Sequence, residues 1–277
     1  MVKQAAKPAG SDEPLLETRG LFVSFGRQPV LRDLNLQIPR GQTVAIIGES
    51  GCGKTVLLKT LIGLVRPTRG KVEFDGRDLS TLNEKELTRQ RVRFGFVFQG
   101  AALFDSMTVA QNVAFPLRQH TQTPPKEVER IVLERLAEVG LPPSIVTKKP
   151  AELSGGMRKR VGLARALALD PEVILYDEPT TGLDPIMSDV INELILRSRQ
   201  RYPVTSVVVT HDMHTARKVA DRVIMVYPLA RLKPDESQML FDGTPEQIER
   251  VGERRVTQFV RGEAGERLME MREQAGS

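Results

Sequence analysis

Two short stretches carry the residue types that phosphate chemistry needs. The first is Gly48-Glu49-Ser50-Gly51-Cys52-Gly53-Lys54-Thr55, which fits G-x-x-x-x-G-K-[ST]. An apolar run, Val44-Ala45-Ile46-Ile47, precedes it, and a segment with helical spacing follows. Strand, glycine loop and helix together are the context in which this pattern cradles phosphate. Glycines let successive backbone N–H groups curl around an anion without Cβ clashes, and the helix N-terminus adds partial positive charge. Lys54 would bridge the β- and γ-phosphates and Thr55 would ligate Mg²⁺. The second stretch, Val173-Ile174-Leu175-Tyr176-Asp177-Glu178, is an apolar strand ending in two carboxylates. Asp177 would hold the metal, directly or through water, and Glu178 would polarise the attacking water as general base. Either stretch alone has a plain structural explanation, a glycine turn or a strand entering a loop. Their combination predicts ATP binding and hydrolysis with Mg²⁺. Cys52 fills a tolerant position of the loop; its electropositive neighbourhood predicts a lowered thiol pKa and alkylation that ATP would block.

Ser154-Gly155-Gly156 opens a predicted helix and makes a second anion-binding N-terminus. With this third element the chain resembles the ABC transporter ATPase family, from about Leu16 to Gly243. Leu153-Ser154-Gly155-Gly156-Met157 is similar to the family signature, with Met157 where most members have Gln. Gln99 matches the glutamine-loop residue, Gly182-Leu183-Asp184 the D-loop, and His211 the switch histidine. Phe25 matches the adenine-stacking aromatic, where Tyr is commoner. The resemblance implies that Gln99 assists the metal site. It also implies a head-to-tail homodimer, in which Ser154, Gly155 and Gly156 of one subunit cap the ATP held by Lys54 of the other. Asp184 and His211 would sense the γ-phosphate.

The stretch Phe98-Gln99-Gly100-Ala101-Ala102-Leu103-Phe104-Asp105-Ser106-Met107-Thr108-Val109, the run Asn112-Val113-Ala114-Phe115-Pro116-Leu117-Arg118, the Met157 of the signature and the ending Val256-Thr257-Gln258-Phe259-Val260 resemble the MlaF branch of importer-type ATPases. That resemblance implies phospholipid transport between envelope membranes, with an MlaE-like permease, an MCE protein and a small STAS-domain protein as partners. It implies a cytoplasmic location, peripheral on the inner membrane through the permease. A groove near residues 99–106 would seat a permease helix. An importer ATPase for another solute shares the same catalytic motifs and is the rival reading. A non-transport ABC protein of DNA repair or ribosomes is opposed by a single cassette, one cysteine and a net charge of only +5, so no nucleic-acid partner is expected.

The elements that must position these residues follow from periodicity. Leu34, Leu36 and Ile38 alternate with polar residues, as in a half-buried strand. The runs at 44–47, 173–176, 204–210 and 222–227 are continuous and apolar, as in a parallel sheet covered on both faces. Val128, Val132, Leu136 and Val139 share one face of a helix, and Met157, Val161, Ala164 and Leu167 share one face of another. The expected fold class is α/β, a P-loop NTPase; the resemblance adds a RecA-like core sheet, an antiparallel β subdomain and an inserted α-helical subdomain at about 100–165. Residues 1–15 are expected as a flexible tail, 16–245 as the ATPase domain, and 246–277 as a C-terminal extension, its charged stretch 250–277 read as a solvated tail with a dimer-contact arm as the alternative. The chain has 277 residues and 40% hydrophobic content, enough for a sizeable core. The polar N-terminus does not read as a signal peptide, and no window approaches the roughly 18 apolar residues of a membrane span. A single cysteine excludes an intrachain disulfide and fits a reducing compartment.

Overall fold

A computed structural model describes residues 14–201 and 204–265. In chain order the elements are β1 (Leu16–Phe25), β2 (Gln28–Ile38), β3 (Thr43–Ile47), α1 (Lys54–Leu61), β4 (Arg69–Phe74), β5 (Arg77–Asp78), α2 (Glu84–Arg91) and β6 (Phe94–Val97). There follow α3 (Val109–His120), α4 (Pro125–Glu138), α5 (Gly155–Leu167), β7 (Val173–Asp177), α6 (Pro185–Arg201) and β8 (Thr205–Thr210). The chain then forms α7 (Met213–Val219), β9 (Arg222–Val226), β10 (Met239–Gly243), α8 (Pro245–Ile248) and α9 (Arg254–Arg261).

Two sheets result. One is antiparallel with strand order β2-β1-β4-β5. The other has order β10-β9-β3-β8-β7-β6; β9, β3, β8, β7 and β6 run parallel, and β10 closes the edge antiparallel to β9. Strand alternation sorts the side chains of this second sheet into separate cores. Val44, Ile46, Val173, Leu175, Val207, Val209, Ile224 and Val226 point to the side shared with α1 and the antiparallel sheet. From the opposite faces, Ile174, Tyr176 and Val208 join the helices α3–α6, while Ala45, Ile47, Val223 and Met225 join α7, α8 and α9. The uniform apolar runs are explained by this two-sided covering.

Local chemistry sets the boundaries. Asp75 and Gly76, at φ 53° and 72°, make the tight turn of the β4–β5 hairpin. Capping boxes start α2 at Asn83 and α3 at Thr108. Helix α5 belongs to two layers: it packs on α3 and α4, and its Ala166 backbone approaches Gly95 of β6 so closely that only glycine fits there. Arg93 bonds Glu172 at 2.6 Å and Asp75 at 2.7 Å, and Arg40 bonds both carboxylates, tying the two sheets together.

The sequence reading of 250–277 as a solvated tail fails over α9. In α9, Val256 is fully buried, and Phe259 and Val260 pack against the core around Ile47, Met225 and Tyr227 of the same chain. Residues 1–13 and 266–277, with most of the expected flexible tail and the end of the expected arm, lie outside the described residues.

Candidate nucleotide site

The loop at residues 48–53 leaves the end of β3 and turns into α1. Gly48, Gly51 and Gly53 hold φ of 148°, 82° and 95°. A Cβ at Gly48 would collide with the Val226 carbonyl, and one at Gly53 would press on Leu31. Glycine is therefore required by both conformation and space. Lys54 Nζ donates back across the loop to the carbonyls of Gly48 at 2.7 Å and Glu49 at 3.0 Å. Thr55 Oγ1 donates to Asp177 Oδ1 at 2.8 Å. The two stretches predicted to share a metal are therefore in direct contact, although 122 residues separate them.

Glu178 follows β7 in a left-handed conformation, φ 49°, which side chains other than glycine rarely adopt. Its N–H is bonded to Val209 O at 2.9 Å. His211, just past β8, places Nδ1 2.8 Å from Glu178 Oε2, and Thr181 Oγ1 donates to the same oxygen at 3.1 Å. No described residue donates to Oε1. Gln99, Glu178 and His211 line one cleft of about 400 Å³ together with Ser50, Lys54 and Thr55.

Burial raises the pKa of Asp177, against the lowering effect of the Thr55 hydroxyl. Burial also pushes the Cys52 thiol up: its side chain is 1% exposed, and desolvation outweighs the nearby Lys54 charge. The lowered thiol pKa expected from sequence is thus reversed, because charge proximity was legible and burial was not.

Other predicted residues lie elsewhere. Ser154 caps α5, accepting the Met157 N–H at 3.2 Å, with Gly155 and Gly156 as its first turn. Asp184 Oδ1 accepts the Met187 N–H at 3.0 Å at the start of α6. Neither group lines the Lys54 cleft. Phe25 sits at the β1–β2 turn, 54% exposed, and does not line it either.

Sequence reasoning missed two residues that brace the loop. Gln238 is buried; its Nε2 donates to Cys52 O at 3.2 Å and Val30 O at 3.1 Å, while its Oε1 accepts from Arg32 N at 2.7 Å. Arg231 reaches Glu49 at 2.5 Å and stacks over Tyr227. A lone Gln or Arg carries no local signal for contacts spanning more than 180 positions.

After Gln99, Ala101 and Ala102 are both left-handed, at φ 62° and 46°. Arg165 of α5 holds them, donating to both carbonyls at 2.7 Å. Beside this loop is an aromatic groove of about 370 Å³, lined by Phe96, Phe98, Phe104, Phe115, Pro116 and Arg165 among others.

The chain is similar to known proteins in sequence and in fold. Residues 31–181 match the family model described as ABC transporter. The chain is 40% identical over 253 residues to the intermembrane phospholipid transport system ATP-binding protein MlaF of Haemophilus influenzae, covering 91% of this chain and 92% of that one. It is 47% identical over 212 residues to the probable ribonucleotide transport ATP-binding protein mkl of Mycobacterium tuberculosis; this covers 76% of the chain, which spans 59% of that relative's length. Among solved structures it is similar to the dimeric ATP-binding cassette MJ0796 bound to ADP and Pi, with TM-score 0.73 and 33% identity over 83% of this chain and 98% of that one. The expected fold, a P-loop ATPase core with an antiparallel sheet and helical insert, is the one found here and is similar to that solved cassette, and the chain belongs to the ABC transporter family as an ATP-binding protein related to MlaF.

Proposed function

We propose that this chain binds and hydrolyses ATP as the motor subunit of a phospholipid transport system. It works as a head-to-tail homodimer beneath an MlaE-like permease with an MCE protein, at the cytoplasmic face of the inner membrane. The observation that carries the hydrolytic reading is the Glu178 carboxylate, fixed by His211 and Thr181 on one oxygen, in the cleft that holds Lys54, Thr55 and Gln99. A carboxylate so oriented takes a proton from water, and His211 restrains its rotation. Lys54 exchanges loop carbonyls for phosphate oxygens, and the loop N–H groups and the α1 dipole hold the rest.

The donor set fits magnesium. Thr55 Oγ1 and Asp177 Oδ1 form a hard-oxygen pair 2.8 Å apart at the loop, and Mg²⁺ takes one or two protein oxygens with phosphates and water. The bound ion would supply charge neutralisation on the β- and γ-phosphates. Gln99 lines the same cleft and would complete the shell.

Phospholipid as cargo is supported by likeness to MlaF along nearly the whole of both chains. Ribonucleotide as cargo is the second reading, favoured by the higher identity to mkl over a shorter stretch. The aromatic groove beside the Gln99 loop is the seat we assign to the permease helix. No described helix is long and apolar enough to cross a membrane, so a membrane-spanning partner supplies the passage in this reading.

Two measurements test it. Glu178→Gln is expected to keep ATP binding and lose at least about 100-fold in turnover; normal turnover removes Glu178 as the base. The protein purified from its own membranes is expected to bring an MlaE-like permease, an MCE protein and phospholipid. Recovery of another permease with a soluble binding protein, or of bound ribonucleotide, would discard the lipid reading and keep the ATPase.

A further inference from the structure

Helix α5 does more than present the glycines at its N-terminus. Five residues past Ser154, Lys159 turns inward to 8% exposure. Its Nζ donates to Pro179 O at 2.8 Å and to Glu178 O at 3.3 Å. Burial lowers the pKa of this ammonium, and the Glu178 charge opposes that lowering. A buried ammonium is costly, and lysine almost never goes fully inside unless its donors are used. The partners used here are the two carbonyls of the turn that holds the general base in its left-handed conformation. Below that turn, Thr181 N bonds Glu178 O at 3.3 Å, so the Glu178 carbonyl accepts from both sides.

We propose that Lys159 is a positioning residue for Glu178, and that through it helix α5 couples its glycine N-terminus to the hydrolytic turn of the same chain. The helix is a rigid rod of 13 residues. Displacement or ordering of its first turn is carried along the rod to Lys159, less than two turns away. From there it passes to the carbonyl end of Glu178, whose side-chain end is already fixed by His211 and Thr181. An anion engaged at Ser154–Gly156 therefore sets the base in the cleft of the same subunit, so that each nucleotide of a pair tunes hydrolysis of the other. This rests on the ATPase and dimer reading given above.

The test compares Lys159→Met, which keeps length and removes the donors, with Lys159→Gln, which keeps a donor. Wild type is assayed in parallel for MgATP turnover, KM, cooperativity, equilibrium nucleotide affinity and melting temperature. K159M is expected to lose about tenfold in kcat, with KM and nucleotide affinity within twofold of wild type and a Hill coefficient falling towards one. K159Q is expected to recover most of the kcat. A folded K159M with wild-type kcat and cooperativity, a loss confined to KM, or a K159Q no better than K159M would overturn the proposal. Should K159M not fold, hydrogen exchange of the Glu178, Thr180 and Thr181 amides is compared, with MgATP, between wild type and Ser154→Ala. Ser154 makes no bond to that turn, so altered exchange supports the coupling and unaltered exchange defeats it. Absence of turnover in wild type would instead count against the ATPase reading, which separates the two failures.

Discussion

A thiol two positions from Lys54 experiences two opposed influences. The ammonium favours the thiolate, and the apolar surroundings favour the neutral form; at Cys52 the second prevails. Native protein is therefore expected to react with iodoacetamide at pH 8 at least ten times more slowly than the same protein in urea, read by mass spectrometry. Asp177 is set by the same competition. Its pKa is raised, so the ionised form costs stability above the folded-state pKa, and that cost disappears as pH falls through it towards the lower unfolded value. Asp177→Asn removes the buried charge and retains an oxygen for the Thr55 hydroxyl. Without magnesium the variant is expected to melt no lower than wild type, while its hydrolysis falls at least about 100-fold. A melting temperature well below wild type would show that the carboxylate is a net stabiliser, against the direction argued here.

Among the elements, the phosphate loop and β7 were legible because their chemistry is written in adjacent positions. Glycines needing left-handed φ, a lysine at a helix start and carboxylates at a strand end are local demands. Helix α9 was misjudged although a signal existed. Val256, Phe259 and Val260 have the i, i+3, i+4 spacing of a buried helical face; Glu253 accepts the Arg255 N–H at its start and Gly262 is left-handed at its end. The surrounding charges concealed this pattern, because Arg255 is used in pairing with Glu253 and Glu236 rather than in solvation. Burying Val256 contributes on the order of 2 kcal/mol. Val256→Asp is expected to cost more than about 3 kcal/mol in urea unfolding, since it also buries a charge without a partner. A change below about 1 kcal/mol would mean that α9 is not held on this core in solution. Lys159, Arg231 and Gln238 gave no signal at all, because their partners are supplied by distant parts of the chain.

For the whole molecule, nucleotide cleft and aromatic groove occupy two ends of one connection. The Gln99 loop borders both, and Arg165 pins its two left-handed alanines to α5. Phe115→Glu is expected to remove permease from the purified complex while leaving ATP affinity within twofold of wild type; retention of permease would move the docking seat elsewhere. The strand order β9-β3-β8 has a consequence for biosynthesis. Strand β3, which carries the phosphate loop, emerges early from the ribosome, yet it pairs with strands made more than 150 residues later, and α9 later still covers its Ala45–Ile47 face. The central strand thus spends most of translation with both edges open. Long-range pairing of this kind is slow and exposes aggregation-prone surface, so a nascent chain stalled before residue 226 should call on chaperones, and one released after residue 261 should not.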